Sequence, residues 1–228
     1  MIRILIVCFI GLIVNHYSLN GQEVATLTDL PLECSLSYGT HDELVIYITG
    51  DGGWNSFNGQ MVHQIEKNGY GVVALNSRKY FWNEKSPEIF SADIERIATN
   101  FLKSWKKSSV IIIGYSFGAD VASFLPGHLP VSLKNRIKLI GLISPSASTD
   151  FVIRLSDLVG ENENLNRRYK VKPELIQIGI PVVCTFGSDE RKVLKDELKA
   201  SKNLAVIELP GDHRYSNNFS LLIKTFGI

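Results

Sequence analysis

Hydrophobic positions along the chain come in short, nearly unbroken runs, separated by longer stretches in which apolar residues recur every three or four positions. The runs LVIYIT (44–49), GVVALN (71–76), SVIIIGY (109–115), IKLIGLIS (137–144), IPVVCTF (180–186) and LAVIEL (204–209) carry few polar interruptions. That is the pattern of strands covered on both faces. Between them, amphipathic stretches at about 56–68, 88–106, 117–127, 191–200 and 216–226 read as helices. Strand then helix, repeated, predicts an α/β fold with a mostly parallel sheet and helices on both faces.

One irregular segment, 146–178, breaks the alternation and contains GENENLNRRYKVKPEL. Its length reads as a short cap or a loop over a site, although a helix and surface loop without a role would account for it too. The chain begins MIRILIVCFIGLIVNHYSLNGQE, where one arginine precedes an apolar run from Ile4 to Val14 and polar residues follow. This resembles a secretory signal peptide, because the run is too short to cross ~30 Å of hydrocarbon as a helix; an uncleaved anchor or a buried strand are the alternatives. The expected division is 1–21 as signal peptide and 22–228 as one domain, since 228 residues support a single sizeable core.

Composition changes little in this picture and removes some partners. With 24 Lys and Arg against 23 Asp and Glu, the chain has no basic excess and no reading motif, so a nucleic-acid partner is not expected. Cys8 lies in the leader; Cys34 and Cys184 allow one bridge in an oxidising compartment, but Cys184 in a central strand reads better as a buried free thiol. No His and Cys cluster has metal-ligand spacing, so neither metal nor cofactor is expected.

The chemistry concentrates where the run 109–115 ends. Gly114-Tyr115-Ser116-Phe117-Gly118 fits G-x-S-x-G between a strand and a helix, the nucleophile elbow that lifts a serine Oγ above the sheet; a simple helix cap is the plainer alternative. A serine needs a base. Of the five histidines, His16 falls in the leader, His41 before the first clear strand, His63 in a helical pattern, and His128 late in the helix after the elbow. His213 follows the last strand and fits the chain order of nucleophile, acid, base. The acid belongs after the penultimate strand, where CTFGSDE offers Asp189 and Glu190. Either would reach the imidazole, with Glu190 favoured by its spacing from the strand-ending glycine. The segment YITGDGGW supplies an oxyanion loop at Asp51 and Gly52, with the Phe117 amide as second donor. Asp51 itself would fix that loop or meet a cationic substrate group.

TGDGGW, SRKYFW followed by SP, GYSFGADV and SPSASTDF occur here in the order and spacing of the bacterial virulence protein family of VirJ and AcvB. The chain resembles that family over about Leu44 to Phe226. The resemblance implies an α/β-hydrolase-like fold, a periplasmic location, and Ser116, His213 and an acid at Glu190 or Asp189 as catalytic residues. It also implies hydrolysis of an aminoacylated lipid, lysyl-phosphatidylglycerol, or association with a secretion machine. It draws Tyr80 and Trp82 in as substrate contacts beside Trp54 and Tyr115, with Phe81 and Asp93 nearby. A cysteine that members often carry shortly after the penultimate strand is missing, as is the extra N-terminal domain of AcvB-type proteins. Arg167, Arg168, Lys170 and Lys172 would suit peripheral contact with an anionic membrane, or form a solvated face.

Overall fold

A computed structural model describes residues 27–35, 37–154, 166–175, 179–199 and 204–228. The expected signal peptide at 1–21 lies outside the described residues. The elements are β1 (Leu32–Cys34), β2 (Glu43–Ile48), α1 (Ser56–Lys67), β3 (Gly71–Leu75), α2 (Ser77–Tyr80), α3 (Pro87–Ser104), β4 (Ser109–Tyr115), α4 (Phe117–Ala122), α5 (Leu125–His128) and α6 (Val131–Lys134). They continue with β5 (Ile137–Ile143), β6 (Ser148–Thr149), β7 (Tyr169–Lys170), α7 (Val171–Leu175), β8 (Val182–Gly187), α8 (Val193–Lys199), β9 (Ala205–Leu209) and α9 (Phe219–Lys224).

A seven-stranded sheet has the order β1-β3-β2-β4-β5-β8-β9. β1 pairs antiparallel to β3, and the remaining neighbours are parallel. The apolar runs are continuous because alternate residues feed two cores. Leu44, Ile46, Ile48, Val110 and Ile112 pack on one face with Phe90, Ile94 and Ile97 of α3. Val45, Tyr47, Ile111, Ile113 and Tyr115 pack on the other with α1 and α9, through Met61, Ile65, Leu222 and Ile223. Parallel pairing puts the carboxyl ends of β2, β4, β8 and β9 on one edge of the sheet, the edge where open α/β sheets hold ligands.

Several details depart from the pattern. The helix expected over 117–127 is two short helices, α4 and α5, because Pro126 has no N–H to donate back to Ala122 and cannot continue the ladder. The helix expected over 216–226 starts at Phe219, since Tyr215, Ser216 and Asn217 take left-handed φ of 53°, 50° and 57° and the Asn218 side chain caps the helix on the Leu221 N–H. The cap region shows the β6 and β7 ribbon and α7 in its described part. Its start is fastened to 81–85 by Ile153 N–H to Phe81 O (2.9 Å) and Lys85 N–H to Phe151 O (2.8 Å).

Cys34 and Cys184 are both free. β1 and β8 stand five places apart in the sheet order, which at ~4.8 Å per strand is far beyond the ~7 Å limit for a bridge. Among the described residues no helix is long and apolar enough to cross a membrane.

Candidate active site

At the end of β4 the chain reverses into α4 through Ser116, whose φ of 54° and ψ of −122° are unusual for a residue with a side chain. Both elbow glycines are sterically required. A Cβ on Gly118 would lie 2.2 Å from Ile48 O, and one on Gly114 would lie 2.4 Å from Gly118 O. Strand and helix therefore touch backbone to backbone, and Ser116 is pushed up at the sheet edge. Ser116 N–H still donates to Ile143 O at 2.8 Å, so the strained residue remains tied to the sheet.

The imidazole comes from the loop after β9. His213 Nε2 lies 3.0 Å from Ser116 Oγ, and Nδ1 lies 2.6 Å from Glu190 Oε1. Glu190 Oε2 accepts from Gly187 N–H and from Ser144 Oγ–H, both at 2.7 Å. Burial pushes the Glu190 carboxyl up, but the bonds from His213, Ser144 and Gly187 outweigh it and leave the pKa below the ordinary glutamate value. An ionised Glu190 keeps the proton on Nδ1 and leaves the Nε2 lone pair facing the serine.

Asp189 is corrected by this geometry. The turn that bonds Glu190 N–H to Gly187 O brings residue 190 back over the strand end and turns residue 189 outward. Asp189 is exposed, and its carboxylate accepts from Ser188 Oγ–H at 3.0 Å. Gly187 is needed there because a Cβ would meet Gly211 O and Asp212 O at 2.5 Å. The acid loop and the histidine loop thus pack directly on each other.

Groups the sequence did not single out complete the support. Ser144, itself at φ 53°, holds Glu190 and lies 2.5 Å from Tyr215 Oη, which donates to Thr185 O at 2.9 Å. Ser144 carries a weak sequence signal, a polar residue at the carboxyl end of a central strand; Tyr215 carries none. Lys195 of α8 is buried and donates from Nζ to Glu190 O (2.8 Å) and Gly187 O (3.3 Å), clamping the acid turn. Asp120 of α4, also buried, accepts from Ser146 N–H and ties the start of the cap region to the elbow helix.

The expected oxyanion loop lies against Ser116: a Cβ on Gly50 would sit 3.4 Å from Ser116 Cβ. Its donors differ from expectation. The Gly52 N–H is bonded to Asp51 Oδ1 at 2.9 Å, and the Gly53 N–H closes the turn on Gly50 O at 3.0 Å. The Gly52 amide is therefore already used, and the Asp51 carboxylate fixes the loop. The N–H groups of Asp51 and Phe117 have no acceptor among the described residues.

The four aromatic candidates divide. Trp54 and Trp82 are 38% and 54% exposed and line a cleft of about 530 Å³ together with Arg78 and Lys79. Tyr80 is only 6% exposed, donates to Asp93 Oδ2 at 2.6 Å and packs edge-on to Phe81; it belongs to the core and not to an open substrate surface. Tyr115 is buried and donates to His213 O at 3.2 Å, so it holds the histidine loop from behind. Among the described residues no group of His, Cys, Asp and Glu is gathered as a metal would need.

The profile of the family described as bacterial virulence protein (VirJ) matches residues 42–226. No curated protein sequence matches the chain. Solved structures share the architecture at low identity. Est1E from Butyrivibrio proteoclasticus superposes with a TM-score of 0.60 at 14% identity, covering 85% of this chain and 88% of its own. A lipase-esterase related protein from Clostridium acetobutylicum gives 0.56 at 16%, over 87% and 96%. The thioesterase domain from the curacin biosynthetic pathway gives 0.57 at 12%, over 87% and 99%. The fold is that of the α/β-hydrolases.

Proposed function

The chain belongs to the bacterial virulence protein (VirJ) family, and from that premise we propose that it is a serine ester hydrolase working through an acyl-enzyme. One observation carries the reading: a continuous line of contacts from Ser116 Oγ through the two ring nitrogens of His213 to Glu190 Oε1, at 3.0 Å and 2.6 Å. As Ser116 Oγ attacks an ester carbonyl, Nε2 takes its proton, and the ionised Glu190 stabilises the imidazolium. The carbonyl oxygen becomes negative beside the N–H groups of Phe117 and Asp51, each such donor worth ~3 kcal/mol in comparable sites. His213 then returns the proton to the departing alkoxide. A water activated by the same nitrogen releases the acid and restores the serine.

The finer reading is that the ester is an aminoacyl phospholipid such as lysyl-phosphatidylglycerol, met in the periplasm at the surface of an anionic membrane. Its support is the family resemblance, together with a partly buried carboxylate, Asp51, on the loop beside the nucleophile. A general esterase is the competing reading. Purified wild type and Ser116→Ala should be compared on a neutral acyl ester and on a lysyl ester. Wild type is expected to hydrolyse ester with a loss of ~10³-fold or more in the variant, and to favour the lysyl ester. Full activity in Ser116→Ala would remove the enzyme reading, and preference for the neutral ester would remove the aminoacyl one.

A further inference from the structure

Resting on the ester-hydrolase reading, we propose that the cleft across the glycine turn from Ser116 is a subsite for an anionic oxyacid group, of the phosphate type, carried by the substrate. The turn Gly50–Gly53 spans less than ~7 Å between its end Cα atoms. At its first residue it packs on Ser116; at its last, a Cβ on Gly53 would lie 2.8 Å from Arg78 Cβ. Nucleophile and cleft are thus the two sides of one tight turn.

Arg78 and Lys79 are held in place from behind. Between β3 and α3 they sit on α2, which Ser77 bolts to the end of β2: Ser77 Oγ–H donates to Thr49 O (2.6 Å) and Ser77 N–H donates to Thr49 Oγ1 (2.9 Å). Asn76 Oδ1 accepts from Lys79 N–H at 3.3 Å. The two side chains themselves are exposed and have no acidic partner among the described residues. Other basic groups nearby are spoken for. Arg96 pairs with Asp29 and Asp93, Arg168 lies 3.9 Å from Glu84 beside the cleft, and Lys85 sits over the Tyr80 ring. A guanidinium fork and an ammonium lining one cleft supply donors of the kind that take the oxygens of a phosphate monoanion or diester. The indoles of Trp54 and Trp82 give the same cleft flat apolar walls for the carbon skeleton next to that group.

The Trp content makes binding readable without turnover, since two of the three tryptophans line the cleft. Tryptophan fluorescence of the full chain should be titrated with inorganic phosphate, with sn-glycerol 3-phosphate, and with vesicles of phosphatidylglycerol or of phosphatidylcholine. The same titrations should be run on Arg78→Gln/Lys79→Gln and on Lys67→Gln, which removes a charge at the end of α1. A saturable response to the soluble phosphates, weakened tenfold or more only in the double variant, supports the subsite for a free phosphate group. A response only to phosphatidylglycerol vesicles, lost in the double variant alone, supports it for a lipid headgroup. No response, an equal response to both kinds of vesicle, or equal binding by the double variant overturns it. In parallel, the ratio of kcat/KM for 1-butyryl-sn-glycerol 3-phosphate to that for 1-butyrylglycerol should fall at least tenfold from wild type to the double variant, and an unchanged ratio also overturns the subsite. If phosphate binds as described while neither ester is hydrolysed, the subsite stands and the hydrolase reading falls.

Discussion

Ser116 holds its left-handed backbone only because its neighbours leave it no other, and such conformations cost ~1–3 kcal/mol each. The same concentration of constraint is found at Glu190, where three donors surround one carboxylate. That Ser116 and His213 come together was legible in the sequence, because each sits at a strand end in an order that parallel topology dictates. The choice between Asp189 and Glu190 was not, since it depends on which of two adjacent residues a single turn rotates inward. Ser144 and Tyr215 were illegible for a related reason: their contacts join positions 46 and 71 residues apart. Glu190→Gln should lower kcat/KM for ester hydrolysis ~10³–10⁴-fold, whereas Asp189→Asn should leave it within about twofold because that carboxylate faces solvent. The reverse ranking would reassign the acid. The sign of the pH effect follows from the depressed Glu190 pKa. Its contribution to stability is complete above the unfolded glutamate value of ~4.3 and disappears as pH falls through the lower folded value. Thermal midpoints of wild type and Glu190→Gln should therefore converge below about pH 4; a gap that widens there would contradict the assignment.

At the scale of elements, the strands of the central sheet were readable because both faces are buried, which turns each into an unbroken apolar run. β1, β6 and β7 were not, being two or three residues long and so too short to show a period. Helix ends failed where single residues override the pattern, at Pro126 and at the left-handed run before Asn218. The β4 to α4 junction has the least tolerance. Gly118→Ala would drive a Cβ to 2.2 Å from Ile48 O and should cost roughly 3 kcal/mol, about 6–12 °C in thermal midpoint for a domain of this size. Gly59→Ala in α1 meets nothing within 4 Å and should raise stability by about 0.5–1 kcal/mol. Equal midpoints for the two variants would mean that strand and helix are not in contact as described.

The whole molecule is a two-sided sheet whose carboxyl edge gathers four loops: the glycine turn after β2, the elbow after β4, the acid turn after β8 and the histidine loop after β9. Each loop brings one part of the proposed site, and none has the complete set. The near-zero charge balance hides a local polarity, with Asp51 in the turn and Arg78 and Lys79 across it. The central claim is that these loops make Ser116 a nucleophile, and covalent capture tests it most directly. Intact mass and peptide mapping after treatment with a fluorophosphonate should show one adduct, on Ser116, absent in Ser116→Ala and formed far more slowly in Glu190→Gln. No adduct on the folded wild type, or an adduct on another residue that persists in Ser116→Ala, would contradict the account.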